Sequence, residues 1–123
     1  MKKAMLMSAL FLMIFGVGFA QKVQNDTIKI QTSGQCGMCK ERIEKALVYE
    51  KGVKNADYND STAVVIVIYN PTKTSPEKIR LVITKLGHDA DDQKGDAKAY
   101  SKLPDCCKKP EDRHKHGGGC SHD

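Results

Sequence analysis

Residues 63–69 read AVVIVIY, a β-branched run suited to a central strand. A central strand needs neighbours, and the chain offers them. In 26–32 (DTIKIQT), Ile28 and Ile30 alternate with polar residues, the mark of a half-buried strand. Val53, Ala56 and Tyr58 outline a weaker strand, and Asn59-Asp60-Ser61 supplies turn chemistry before the central run. Asn70-Pro71 stops that run.

Between the strands the apolar period changes from two to 3.6. Over 39–50, Ile43, Ala46 and Leu47 form one face, and Gly52 follows as a C-cap candidate. Thr74-Ser75-Pro76-Glu77 reads as a helix start, with a capping residue, Pro in the first turn and a Glu able to reach back. Ile79, Val82, Ile83 and Leu86 then repeat at i, i+3, i+4 and i+7, and Gly87 closes the helix. Residues 88–92 offer a short last strand, although aspartates are poor strand formers. The expected architecture is α+β, in the order βαββαβ. Two split βαβ halves build an antiparallel four-stranded sheet with two helices on one face.

The chemistry gathers where the first strand meets the first helix, at Gly34-Gln35-Cys36-Gly37-Met38-Cys39. Two thiols separated by two residues can point to one side of such a turn. A helix N-terminus carries partial positive charge, which favours thiolate over thiol. The spacing suits soft-metal binding, redox exchange or a structural disulfide. Thiolates select Cu(I), and also Zn(II), Cd(II) or Hg(II). A structural zinc site would call for four protein ligands.

The first twenty residues stand apart from the fold. Lys2 and Lys3 precede an apolar run from Ala4 to Phe19, and Gly18 and Ala20 are the small residues of a cleavage site. That is the pattern of a secretory signal peptide, the alternative being an uncleaved anchor. The chain is therefore expected to be exported, periplasmic or secreted, and to touch membrane only through this signal. Loss of Lys2 and Lys3 lowers the formal net charge from +5 to +3. No basic stripe with interleaved aromatics remains, so nucleic acid is not an expected partner.

The organisation reads as a signal over 1–20, a domain over 21–95 and an extension over 96–123. In the extension, 96–103 can form a short helical turn ended by Pro104. From Asp105 onward hydrophobic periodicity is lost, and a flexible tail follows that is rich in metal-ligating side chains: Cys106, Cys107, Cys120, His114, His116 and His122. Five cysteines is an odd number, and adjacent Cys106 and Cys107 are awkward partners for each other. The count fits a disulfide framework poorly and metal ligation better. The tail reads as a second, adaptable metal site.

Cys36-Gly37-Met38-Cys39, Arg42-Ile43-Glu44-Lys45-Ala46-Leu47, Gly52-Val53, Asn70-Pro71 and Leu86-Gly87-His88 together resemble the heavy-metal-associated domains. That family includes copper chaperones, copper-pump N-terminal modules and the periplasmic mercury-binding protein. The resemblance covers about 26–93 and implies a ferredoxin-like fold. It also implies that Cys36 and Cys39 bind a soft ion, Cu(I) first, at an exposed loop and pass it on by ligand exchange. Two departures stand out. Gly34 occupies the place where the family usually has a Met tucked beneath the loop, and a Met lies inside the motif as Met38. His88 stands where the family often has Tyr or Lys, and reads as a third ligand, a proton-dependent gate or a solvated loop residue.

The combined expectation is a metallochaperone or metal-sequestering protein with no catalysis of its own. Its partners would be a metal ion and a metal-transporting membrane pump or another metalloprotein, and the chain would be a monomer or a metal-bridged dimer. The alternative is a thiol–disulfide oxidoreductase using the same pair. Against that alternative, the chain has no Trp and its element order differs from the thioredoxin type.

Overall fold

In a computed structural model that describes residues 22–113, the β-branched run forms β3 (Val64–Tyr69), flanked by β1 (Asp26–Gln31) and β2 (Val53–Asn59). The three strands make one antiparallel sheet in the order β1-β3-β2. The expected export signal, and His114, His116, Cys120 and His122, lie outside the described residues.

Register follows from the alternation. Val65 pairs with Ile30 on one side and Tyr58 on the other, and Val67 pairs with Ile28 and Ala56. Val65, Val67 and Tyr69 therefore share a face with Ile30, Ala56 and Tyr58, and all six are buried.

Two helices cover that face. α1 (Gly37–Tyr49) buries Cys39, Ile43 and Leu47, and α2 (Pro76–Lys85) buries Ile79, Ile83 and Thr84. Ile43, Leu47, Ile79 and Ile83 enter one core cluster with the strand residues. Burial of a side chain of this kind stabilises by about 1.5–3 kcal/mol. α2 starts where expected: Ser75 Oγ accepts from Lys78 N at 3.4 Å, and Pro76 is the first helical residue. Gly87, at φ +95, follows its C-cap Leu86.

The fourth strand is not formed. Over 88–92 there is only an isolated bridge between Thr32 and Ala90, with a second from Ala90 to Gln93. Asp91 adopts φ +53, a left-handed conformation that interrupts an extended run. Its N–H donates to Gln31 O at 2.8 Å, while its carboxylate accepts from Gln31 N at 2.9 Å and Arg80 Nε at 2.8 Å. The segment is thus pinned beside the end of β1 by a turn and a side chain in place of a ladder. The α+β order is otherwise consistent with the ferredoxin-like expectation.

The extension begins with the expected short helical turn and then departs from expectation. α3 (Ala97–Ser101) is capped by Asp96, whose carboxylate accepts from Ala99 N at 2.7 Å. Two single 3₁₀ turns follow, Asp105–Cys107 and Pro110–Asp112. The structured chain therefore continues through residues expected to be flexible. Close glycine contacts seat it: a Cβ on Gly95 would overlap the Gly87 carbonyl, and one on Gly87 would meet the Tyr100 backbone. Asp96 N donates to Thr84 O at 2.8 Å, tying α3 to the end of α2.

Candidate metal centre

Cys36 is the N-cap residue of α1, and Cys39 lies in its first turn. Their sulfurs are 3.5 Å apart. Cys36 is half-buried and Cys39 is fully buried. Gln35 N donates to Cys39 Sγ at 3.5 Å. Burial opposes charge on Cys36, but the N–H groups of Cys39 and Met38 and the thiols of Cys39 and Cys107 outweigh it, holding Cys36 below the usual thiol range. This is the thiolate bias expected of a helix N-terminus.

A third thiol joins the pair from a distant part of the chain. Cys107 Sγ lies 3.8 Å from Cys36 Sγ, across 71 residues of sequence. Only 1% of Cys107 is exposed, and it forms an apolar cluster with Cys39 and Leu103. Burial first, then the neighbouring Cys39 and Cys36 sulfurs, push its thiol strongly up. Tyr100, Met38 and Cys106 close the same cluster. The thiol site is therefore partly roofed by the extension, where the family resemblance implied an exposed loop.

Cys36, Cys106 and Cys107 have their sulfurs within 4.8 Å of one another. Cys106 is disulfide-bonded, so in this oxidation state it offers no thiolate. This differs from the expectation that the extension's cysteines serve metal before disulfide. Its sulfur also rests 3.6 Å from Met38 Sδ, which makes Met38 a packing residue of this cluster.

The departure at Gly34 has a local cause. A Cβ there would overlap the Tyr58 hydroxyl and crowd Cys39 Cβ. Tyr58 projects from β2 beneath the cysteine loop and fills the space under it. Its hydroxyl lies 3.3 Å from Thr32 Oγ1, which donates to it and accepts from Gly34 N at 3.2 Å. Burial, against the Thr32 bond and aided by the Cys39 and Cys36 charges, raises the phenol's pKa. A neutral ring thus supports the thiols. In the sequence Tyr58 carries only the pattern of a strand residue, and the local signal of its role is the Gly at position 34 where the family usually has Met.

His88 is fully buried, which removes the solvated-loop reading. Neither ring nitrogen has a hydrogen-bond partner among the described residues. Burial and the Arg42 charge depress its pKa against the opposing Asp89 charge. It is not among the sulfur group that lies within ligating range. Next to it, Asp89 receives Lys109 Nζ at 3.0 Å and Gly95 N at 2.9 Å, joining this loop to the extension.

Comparison with known proteins identifies the family. Residues 35–89 match the heavy-metal-associated domain family. A copper-exporting P-type ATPase of Staphylococcus saprophyticus is 37% identical over 73 residues, which is 58% of this chain and 9% of the pump. The chain thus spans about a tenth of the curated relatives it matches. Among solved structures, the CopZ metallochaperone is 30% identical, with a TM-score of 0.51 over 53% of this chain and 98% of its own. The Cu(I)-loaded N-terminal domain of a potential copper-translocating P-type ATPase from Bacillus subtilis is 32% identical. Its TM-score is 0.53, over 55% of this chain and 86% of that one. The family match stops at residue 89, so Cys107 comes from sequence beyond it.

Proposed function

The chain belongs to the heavy-metal-associated domain family, and from that premise we propose that it is an exported Cu(I)-binding protein that sequesters the ion or hands it to a partner. The observation that carries this reading is the Cys36–Cys39 pair, 3.5 Å apart at a helix N-terminus, with Cys36 biased towards thiolate. Soft thiolates favour Cu(I) over harder ions. The Cu(I)-loaded and copper-exporting relatives support the choice over Zn(II), Cd(II) or Hg(II). The ion is cargo, moved by exchange of sulfur ligands, and no catalysis is required. A metal-transporting pump or another metalloprotein is the partner, and the chain acts as a monomer or as a metal-bridged dimer. His114, His116, Cys120 and His122 add to a second, adaptable metal site.

The test is anaerobic titration of the reduced full chain with Cu(I) against a competing chelator. Tight binding of one Cu(I), lost when Cys36→Ser and Cys39→Ser are combined, is the expected result. Unchanged tight binding in the double variant would remove this loop as the site. One feature also suits the runner-up: a depressed Cys36 beside a buried Cys39 is what a thiol–disulfide oxidoreductase needs. Disulfide reduction turned over in the absence of copper would favour that enzyme.

A further inference from the structure

We propose that the C-terminal extension supplies Cys107 as a third thiolate to the ion held by Cys36 and Cys39, closing a three-sulfur soft-metal site within one chain. This rests on the Cu(I)-binding reading above and adds a retention function to it.

Distances point to three sulfurs. At a metal–sulfur length of ~2.3 Å, a linear pair needs sulfurs ~4.6 Å apart and a planar trio ~4.0 Å. Cys36 lies 3.5 Å from Cys39 and 3.8 Å from Cys107, and both spacings are nearer to that of a trio than to that of a linear pair. Cys107 also shares an apolar cluster with Cys39, so the three side chains meet at one place.

The third thiol is held there by more than its own turn. Leu103 is 5% exposed and packs in the same cluster. Tyr100 Oη accepts from Lys109 N at 2.9 Å and donates to Asp112 Oδ2 at 2.7 Å, bracing the chain on both sides of Cys107. Lys109 reaches Asp89 at 3.0 Å, and Asp96 is tied to Thr84. The extension is thus fastened to the domain before and after the cysteine.

The consequence is kinetic. Transfer by ligand exchange needs an open position through which a partner's thiolate can reach the ion. Here the chain's own Cys107 fills it. Binding releases the Cys107 proton to solvent, and no electrons move. Release to a partner then requires the 3₁₀ turn Asp105–Cys107 to lift, which makes the extension a latch on the cargo.

X-ray absorption of the reduced full chain loaded with one equivalent of Cu(I) tests this without any variant. Three sulfur neighbours are expected, and two would overturn the proposal. Cys107→Ser should fall to two neighbours and lose Cu(I) to a chelator about tenfold faster. Cys106→Ser and Cys120→Ser should each keep three. A loss in either of these, with Cys107→Ser unchanged, would assign the third ligand elsewhere and overturn the proposal. Failure of the parent reading looks different: Cys36→Ser combined with Cys39→Ser would still bind Cu(I) tightly.

Discussion

The two helices begin in opposite ways. α2 is conventionally stabilised: Ser75 accepts from Lys78 N, Pro76 presets the first turn and Glu77 adds negative charge there. α1 has none of these. Its N-cap is Cys36, which makes no side-chain capping bond, and no acidic residue lies in its first turn. The N–H groups of Met38 and Cys39 and the partial positive charge are left to favour sulfur as thiolate. One helix end carries an oxygen cap that serves stability, and the other carries the thiol pair. The difference lies in whether an oxygen or a sulfur sits at the first position.

Mutations can test that division. The largest effect is expected at Cys36→Ser, which should weaken Cu(I) binding by on the order of a hundredfold, about 2.7 kcal/mol. Because Cys36 is only half-buried, unfolding free energy should change by no more than about 0.5 kcal/mol, measured by denaturant titration. A stability loss as large as the binding loss would erase the contrast.

Next is Gly34→Ala, which should cost about 1–3 kcal/mol of stability by driving a methyl group into the Tyr58 hydroxyl. Pairing it with Tyr58→Phe, which removes that hydroxyl, should recover part of the loss. Additive penalties would show that the ring does not set the loop.

A smaller effect is expected at Ser75→Ala, about 1 kcal/mol in thermal or denaturant unfolding, with Cu(I) affinity unchanged. A shift in affinity there would mean that the two helix ends are coupled.

The smallest effect concerns pH. His88 is buried with its pKa depressed by burial and Arg42, so the unfolded chain protonates first as pH falls below about 6.5. Stability from this group is complete above that value and declines as pH drops towards the folded pKa. His88→Phe should flatten the decline between pH 6.5 and pH 5, followed by unfolding at each pH. An unchanged slope would mean that other groups govern it.

Local pattern explains which elements are legible in the sequence. Ile43 with Leu47, and Ile79 with Ile83, recur at helical spacing, while Val65, Val67 and Tyr69 alternate, so each element announces its buried face. Ser75-Pro76 and Gly87 mark the ends of α2 for the same reason. The expected strand at 88–92 failed because a backbone reversal at Asp91 depends on Gln31 and Arg80, both remote in sequence.

The order of the first three strands and two helices, and the strand-to-helix turn that carries Cys36 and Cys39, are legible in the sequence. Those depend on residue type and short spacing. That Tyr58 fills the space under the loop, that His88 is buried and that Cys107 joins the thiol cluster come from long-range packing. Each of these is a contact between residues tens of positions apart. Such contacts arise when apolar faces and the Gly87–Gly95 approach pack the extension onto the domain, and no local period records them.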